Sequence, residues 1–376
     1  MKNRVCEMLG IEFPILAFTH CRDVVAAVSK AGGFGVLGAE ASTPDSLDID
    51  LRWIKEQVGD RPFGVDVIVP AKYEGKAEGE VGRAELRQRI PQAHRDFVDD
   101  MMRRYGVPEL DSDDRSRLGR DGAAPMSYAS AARMMDVAFS HPISLIVNAL
   151  GSPPPDMVER AHALGIKVGA LAGKPAHAVR HVAAGVDLII AQGYEAGGHT
   201  GDIATMVLVP EVVDAVAPVP VLAAGGIGGG RQMAAALALG AEGVWCGSVW
   251  LTTEEAETHP TVKQKFLTAT SSDTLRSRSR TGKPARQLRC GWTDEWEGPN
   301  SPGPLPMPLQ PLLVAEASTR VDRAAHDPSS AAAKLAGYFV GQVVGSMNEI
   351  KPARRVVLDM VEEFIDAMQR VGSMME

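Results

Sequence analysis

The chain has 376 residues, 45% of them hydrophobic and 5% aromatic, with 38 glycines. That make-up suits a single α/β barrel with insertions better than an all-β protein. A formal net charge of −8 and a pI near 5.7 argue against nucleic acid as the main partner, because phosphate backbones are held by basic faces. No run approaches the roughly 18 apolar residues of a membrane helix, so no membrane partner is expected, and MKNRVCEMLGIEF lacks the apolar core of a secretory signal. Cys6, Cys21, Cys246 and Cys290 stand far apart with no CxxC pair, so no metal site is expected and reduced thiols in a cytoplasmic setting are the default.

Short apolar stretches alternate with helical ones. Residues 14–18 (PILAF) precede an amphipathic run over 22–31 that stops at Gly32-Gly33, a helix-ending pair. Residues 34–37 (FGVL) lead to a helix opening at Thr43-Pro44-Asp45, with cap and first-turn residues in order. Residues 64–69 (GVDVIV) form a third strand. From 70 to 140 the alternation lapses into a charged segment dotted with Met101, Met102, Met126, Met134 and Met135, read as a mainly helical insertion with a looser stretch near 111–124. It resumes with 143–147, a helix entered through Pro153-Pro154-Pro155-Asp156, 167–171 (KVGAL), a helix over 175–184, 187–191, 219–223 (VPVLA), a helix over 231–239 and 243–246 (GVWC). Eight strand segments separated by helices predict an α/β fold of the (β/α)8 TIM-barrel type rather than an open sheet. Residues 1–69 and 141–290 would form the barrel, 70–140 an insertion that could serve as a lid, and 291–376 a C-terminal extension whose last helix, 356–371, packs back on the body.

The chemistry gathers on 187–201, DLIIAQGYEAGGHTG. A buried strand ends at Gln192, and a loop rich in glycine carries Glu195 and His199. A histidine at the carboxyl end of a barrel strand, among glycines that let a ligand approach, is placed for chemistry. A lone histidine there more often only caps its loop. Two later segments favour the functional reading. AGGIGGG at 224–230 follows the seventh strand and precedes a helix, and Gly247-Ser248 follow the eighth. Backbone N–H groups and the positive end of a helix suit a phosphate, and barrels often bind phosphate with these two loops. The alternatives are a turn needed only for packing, or a Rossmann fingerprint, which lacks its acidic residue at a second strand end.

In this order, PILAF…AGGFGVLG, RPFGVDV, AQGYEAGGHTG, VLAAGGIGGGRQMAAALALGAEGVWCGS and TGKPARQLR resemble the nitronate monooxygenase (2-nitropropane dioxygenase-like) family of FMN-dependent TIM-barrel oxidoreductases. That family includes FMN-dependent enoyl reductases and NAD(P)H:quinone reductases. The resemblance covers 5–289 apart from the insertion and, more weakly, the final helix with Gly341-Gln342. It implies FMN as cofactor, with the isoalloxazine ring over the barrel mouth and the phosphate on Gly225, Gly226, Gly247 and Ser248. Gln192, Gly197 and Gly198 would lie against the flavin, and His199 matches the family's catalytic histidine near flavin N5. Ala17, Phe18 and Asp66 match cofactor-face positions, but with departures. Family members often have Gln-Gly-Gly-Met where this chain has Ala17-Phe18-Thr19-His20, and Asn in place of Asp66. An acid near a flavin would disfavour negative charge on the reduced ring unless it is neutralised or hydrogen-bonded. His20 is either a second polar group of the pocket or a loop residue beside Cys21.

The resemblance thus implies oxidation of alkyl nitronates with O2, or alternatively NAD(P)H-dependent reduction of an enoyl thioester or quinone. A phosphate-binding barrel without turnover is the reading from a different class. The expected partners are a small-molecule substrate, long and apolar if the insertion's methionines line its path, NAD(P)H, and a second copy of the chain as a homodimer. The basic run Arg276, Arg278, Arg280, Lys283, Arg286 and Arg289 would hold phosphates of NAD(P)H or of an acyl carrier, or else form a solvated face.

Overall fold

The computed structural model describes residues 1–40, 42–69, 83–111 and 128–375. Its strands are β1 (Ile15–Thr19), β2 (Phe34–Gly38), β3 (Phe63–Val67), β4 (Leu145–Asn148), β5 (Lys167–Ala172), β6 (Leu188–Gln192), β7 (Gly198–His199), β8 (Val221–Ala224), β9 (Gly243–Cys246), β10 (Thr274–Ser277) and β11 (Ala285–Leu288). Eight of them close a parallel barrel in the order β1-β2-β3-β4-β5-β6-β8-β9, with β9 returning to β1 through Ala17 opposite Cys246. The eight expected strands are these eight, with ends shifted by a residue or two. Pro220 stands outside β8 because it has no N–H for a ladder; its carbonyl instead accepts from Ile189 N. Beyond β3, Val69 leaves the ladder because its N–H is taken by the Asn148 side chain at 2.9 Å.

Strand residues alternate between two environments, as the period of two requires. Leu16, Phe34, Val36, Leu145, Ile190, Leu222 and Trp245 fill the barrel interior, and Val5, Leu9 and Ile11 join them from the N-terminal segment. Ile15, Ala17, Val65, Val67, Ile189, Ala223 and Cys246 face outward into the shell of helices. The helix Arg4–Leu9 begins at Asn3, whose side chain accepts from Cys6 N.

The crossover from β3 to β4 ends with the helix Tyr128–Phe139, which packs on the barrel and places Met134 and Met135 in its shell. Met101 and Met102 lie on the helix Gln92–Arg104 and are buried in a second core with Trp292, Trp296, Val314 and Val321 of the C-terminal extension. Arg104 binds Glu295 at both carboxylate oxygens, 2.8 and 2.7 Å, across the same seam. These four methionines are therefore packing residues. Met126 and all but Asp111 of the looser stretch lie outside the described residues. The last helix, Ala353–Gly372, buries Ala353, Val357 and Met360 against the barrel shell. Among the described residues no helix is long and apolar enough to cross a membrane.

Candidate active site

The carboxyl ends of the strands open on one mouth. β1 brings Phe18 to it, stacked on Trp245 of β9 with ring centroids 5.9 Å apart. Ala17 faces the other way, into the helical shell, so it could meet a ligand only through its backbone. His20, just past β1, folds over Gly38 at the end of β2. Its Nδ1 lies 3.1 Å from Gly38 O and its Nε2 3.0 Å from Glu40 Oε1. A Cβ on Gly38 would sit 2.7 Å from the His20 ring, so the glycine is what allows that fold. His20 is thus a polar group of the mouth rather than a loop residue turned to Cys21. Burial works against its charge, but the bond and charge of Glu40 and the Gly38 carbonyl outweigh it and raise its pKa. Glu40 is shifted the opposite way: burial would raise it, and His20 holds it below the usual carboxylate range.

Asp66 stands on the inner face of β3, 3% exposed, and its Oδ1 is buried with no hydrogen-bond partner. Burial first, and the nearby Glu40 charge second, push its pKa well above that of an ordinary aspartate, against a backbone bond from Ala149. Gln192 closes β6 at the same end, in register with Ala224 of β8.

His199 is not on a free loop. With Gly198 it forms β7, paired to β11 through His199 opposite Ala285 and Gly198 opposite Arg286, in an antiparallel sheet β10-β11-β7 beside the barrel. Its Nε2 lies 2.8 Å from Thr281 Oγ1, in the TGKPAR segment. The Thr281 hydroxyl points at Lys283 O, 3.1 Å away. When that hydroxyl donates to Lys283 O, Nε2 carries the ring proton and Nδ1 keeps a lone pair. Desolvation and the Lys283 charge lower the His199 pKa, opposed by Glu40, so the ring is neutral near pH 7. Phe339 lies 6.4 Å away on the same rim. The loop's acid, Glu195, faces inward and accepts from Thr205 N and Oγ1, each at 2.9 Å, at the start of the helix Thr205–Val216.

The two glycine loops sit as the spacing predicts. Gly225 and Gly226 have φ of +100° and +69°, a conformation that favours glycine. A Cβ on Gly226 would meet nothing nearer than Glu195 Cβ at 3.5 Å, and on Gly247 nothing nearer than Phe18 Cδ1 at 3.8 Å. At both, a Cβ would make only ordinary van der Waals contact, so neither glycine is required by packing of its own Cβ position. Gly225 is different, since its Cβ would press on Thr205 Oγ1 at 2.9 Å. The Ser248 hydroxyl accepts from Gly341 N at 2.8 Å, which leaves its proton to donate. Gly197 is pressed against Val340 and Gly341 of the same seam, so it serves packing there.

Of the basic run, Arg278, Lys283 and Arg289 are exposed, Arg276 and Arg280 are half-buried and Arg286 is buried. Arg276 and Arg286, opposite one another on β10 and β11, both lie on the Tyr194 ring, at 5.0 and 4.6 Å from its centroid. Arg286 is 2% exposed and binds Tyr194 O at 3.2 Å, while Arg276 binds Asp202 at 2.6 Å. Arg278 and Arg280 bind backbone carbonyls, and Arg289 binds Asp294. Arg276 and Arg286 thus anchor the loop that carries His199. Elsewhere, Cys21, Asp23 and Glu257 bring ligand-type atoms within 4.8 Å of one another, but the Cys21 thiol is given to Glu255 O at 3.1 Å and burial raises its pKa.

A profile of the nitronate monooxygenase family matches residues 2–363. The chain belongs to the nitronate monooxygenase family. A Mycobacterium tuberculosis protein named provisionally as a monooxygenase is 61% identical over 376 residues, the whole of both chains. Among solved structures, the nitroalkane oxidase of Streptomyces ansochromogenes is similar with a TM-score of 0.78 and 27% identity over 98% of this chain and 100% of that one. FabK from Thermotoga maritima is similar with a TM-score of 0.71 and 27% identity over 99% of each. As a nitronate monooxygenase family member, the chain carries the family motifs on the barrel's carboxyl face, together with residues that its motifs do not announce. Glu40 is open to detection as an acid two residues beyond a strand end. Thr281 and Lys283 lie inside a recognised motif, but nothing in sequence brings them to His199, 82 residues away for Thr281.

Proposed function

We propose that this chain is an FMN-dependent oxidoreductase that oxidises alkyl nitronates with O2. The observation that carries the reading is the neutral His199, fixed by Thr281 on one side of a mouth whose other loops, at Gly226 and Gly247, leave a cradle that a Cβ would fill. Gly226, Gly247 and Ser248 would hold the phosphate, with Gly225 shaping the turn. Phe18, Asp66, Gln192 and Gly198 would line the ring, with Ala17 and Gly197 behind them. When bound, FMN supplies the two-electron redox chemistry. Lys283, whose charge already acts on His199, draws an anionic nitronate to the mouth. Nδ1 of His199, an imidazole neutral at pH 7, takes the α-proton of the parent nitroalkane and so supplies the nitronate that is oxidised.

A second reading, NAD(P)H-dependent reduction of an enoyl thioester or quinone, is favoured by the likeness to FabK. It needs a proton donor near neutral pH, and His20, raised by Glu40, is the candidate. Anaerobic mixing of the purified protein with NADH, NADPH or an alkyl nitronate separates the readings. Flavin bleaching by nitronate alone supports the first, and bleaching by a nicotinamide with silence toward nitronate replaces it with the second. Bleaching by none leaves a phosphate-binding barrel.

A further inference from the structure

β2 ends at Gly38, in register with Asp66 on β3. Its neighbour Leu37 faces the helical shell, so alternation turns the Cβ direction of Gly38 into the mouth. The His20 ring takes that space, edge-on to Phe18 with centroids 5.1 Å apart. It therefore stands over the open end of the barrel. Two residues past Gly38, Glu40 reaches the ring, with Oε1 3.0 Å from Nε2. The two side chains remain 36% and 37% exposed, so the pair is a wall of the mouth and not a buried strut.

The proton count of this pair follows from its partners. Gly38 O only accepts, so Nδ1 carries a proton. The contact between Nε2 and Oε1 needs a second proton, which in a half-exposed site rests on the imidazole, the stronger base. Glu40 is then a carboxylate with Oε1 given to His20. Among the described residues no other side chain bonds it, and the one further donor near it is its own backbone N–H. Oε2 is thus an acceptor left for a group that enters the mouth. The groups that feel the charge of Glu40 stand around that mouth: Asp66 on β3, and His199 and Tyr338 on the far rim. The cation of the far rim is Lys283, beside His199. The two ends of the mouth therefore differ in chemistry, a carboxylate oxygen at one and a lysine with a neutral imidazole at the other.

We propose that the free oxygen of Glu40, held in place by His20, accepts a hydrogen bond from a hydroxyl or ammonium group of the substrate, whose nitro end lies at His199 and Lys283. This rests on the reading that the chain oxidises nitronates, and it names the substrate class: nitro compounds whose far end carries a hydrogen-bond donor. Because the imidazolium of His20 balances the charge of Glu40, a neutral hydroxyl is taken as well as an ammonium. A carboxylate tail would bring two negative oxygens together with no proton between them, and it is turned away. His20 acts here as a positioning residue.

The test follows anaerobic flavin bleaching in the FMN-bound full chain, at a pH where His199 is neutral, in wild type, Glu40→Gln and His20→Phe. The probes are four nitroalkanes of equal length that end in methyl, hydroxyl, ammonium or carboxylate. Each second-order rate constant is divided by that of the methyl-ended compound in the same protein, which cancels the effect of Glu40 on His199. Comparing these ratios between proteins cancels the different acidities of the compounds. Relative to Glu40→Gln, the wild-type ammonium ratio should be about tenfold higher and the carboxylate ratio about tenfold lower, the scale of one hydrogen bond to a charged group. The hydroxyl ratio should persist in Glu40→Gln, whose amide oxygen still accepts. His20→Phe leaves Glu40 without its cation and should raise the ammonium ratio further. Equal ammonium and carboxylate ratios in wild type and Glu40→Gln overturn the proposal and leave the nitronate reading standing. So does a Glu40→Gln protein that folds but no longer holds FMN, since the carboxylate would then face the cofactor. Wild type bleached by none of the four compounds overturns the nitronate reading, and this inference with it.

Discussion

Glu363 Oε2 accepts the backbone N–H of Gly230 at 2.8 Å. The last helix of the chain thus sets its own carboxylate on the first turn of the helix Gly230–Ala238, where the GGIGGG run ends. A Cβ on Gly230 would collide with Met360 O and Phe364 N, so this glycine serves helix packing rather than ligand approach. A phosphate is left to Gly226, Gly247 and Ser248. Glu363→Ala should cost about 1 kcal/mol in urea unfolding followed by circular dichroism, the scale of a lost helix-end acceptor, with unchanged flavin content. A variant that folds normally but loses its flavin would return the phosphate to this helix end.

The cradle makes a second prediction. Denaturation should release FMN in a 1:1 ratio, not FAD, since the two glycine loops are proposed to hold a single phosphate. Gly226→Val should abolish binding, but its φ of +69° also strains any side chain. Gly247→Val is the cleaner variant: its φ of −116° is open to all residues and its Cβ has space. It should lose FMN while keeping the wild-type far-UV spectrum. Full flavin content in Gly247→Val would place the phosphate elsewhere.

The pH profile follows from what surrounds His199. Desolvation and Lys283 lower its pKa below 6.5, with Glu40 opposing. A ring that must be neutral to take a proton loses activity as pH falls through that lowered value, so kcat/KM should fall on the acid side below about 6.5. Lys283→Gln removes a positive neighbour, which raises the His199 pKa and should move this limb to higher pH. Glu40→Gln should move it the other way. A limb that neither variant moves would mean that another group titrates there.

Much of this architecture is legible in the amino-acid sequence, and the reasons differ by feature. The barrel can be read because eight apolar segments, each four to six residues long and bounded by Gly or Pro, leave no other way to bury themselves between helices. Gly226 and Gly247 stand out because each comes within two residues of a strand end, and His199 because it lies in the glycine-rich segment that follows β6. The pairing of His20 with Glu40 is hidden, since it depends on register between β1 and β2 and on the missing side chain of Gly38. The arginines at 276 and 286 look like a basic surface; only cross-strand pairing reveals that both lie on Tyr194. Glu363 is invisible for the same reason, standing 133 positions along the chain from Gly230. The methionines leave a substrate cover and a satellite core equally open, because composition cannot tell one from the other.

The account turns on His199, and anaerobic stopped-flow of the reaction with a neutral nitroalkane, whose α-proton His199 must take, tests it most directly in wild type and His199→Ala. The phosphate loops do not include β7, so both proteins should carry the same amount of FMN. Wild type should bleach its flavin, and His199→Ala should do so roughly 10²-fold more slowly, the scale of a positioned proton-transfer group. Equal FMN content with equal bleaching rates would contradict the account and leave His199 as a strand residue of the sheet β10-β11-β7.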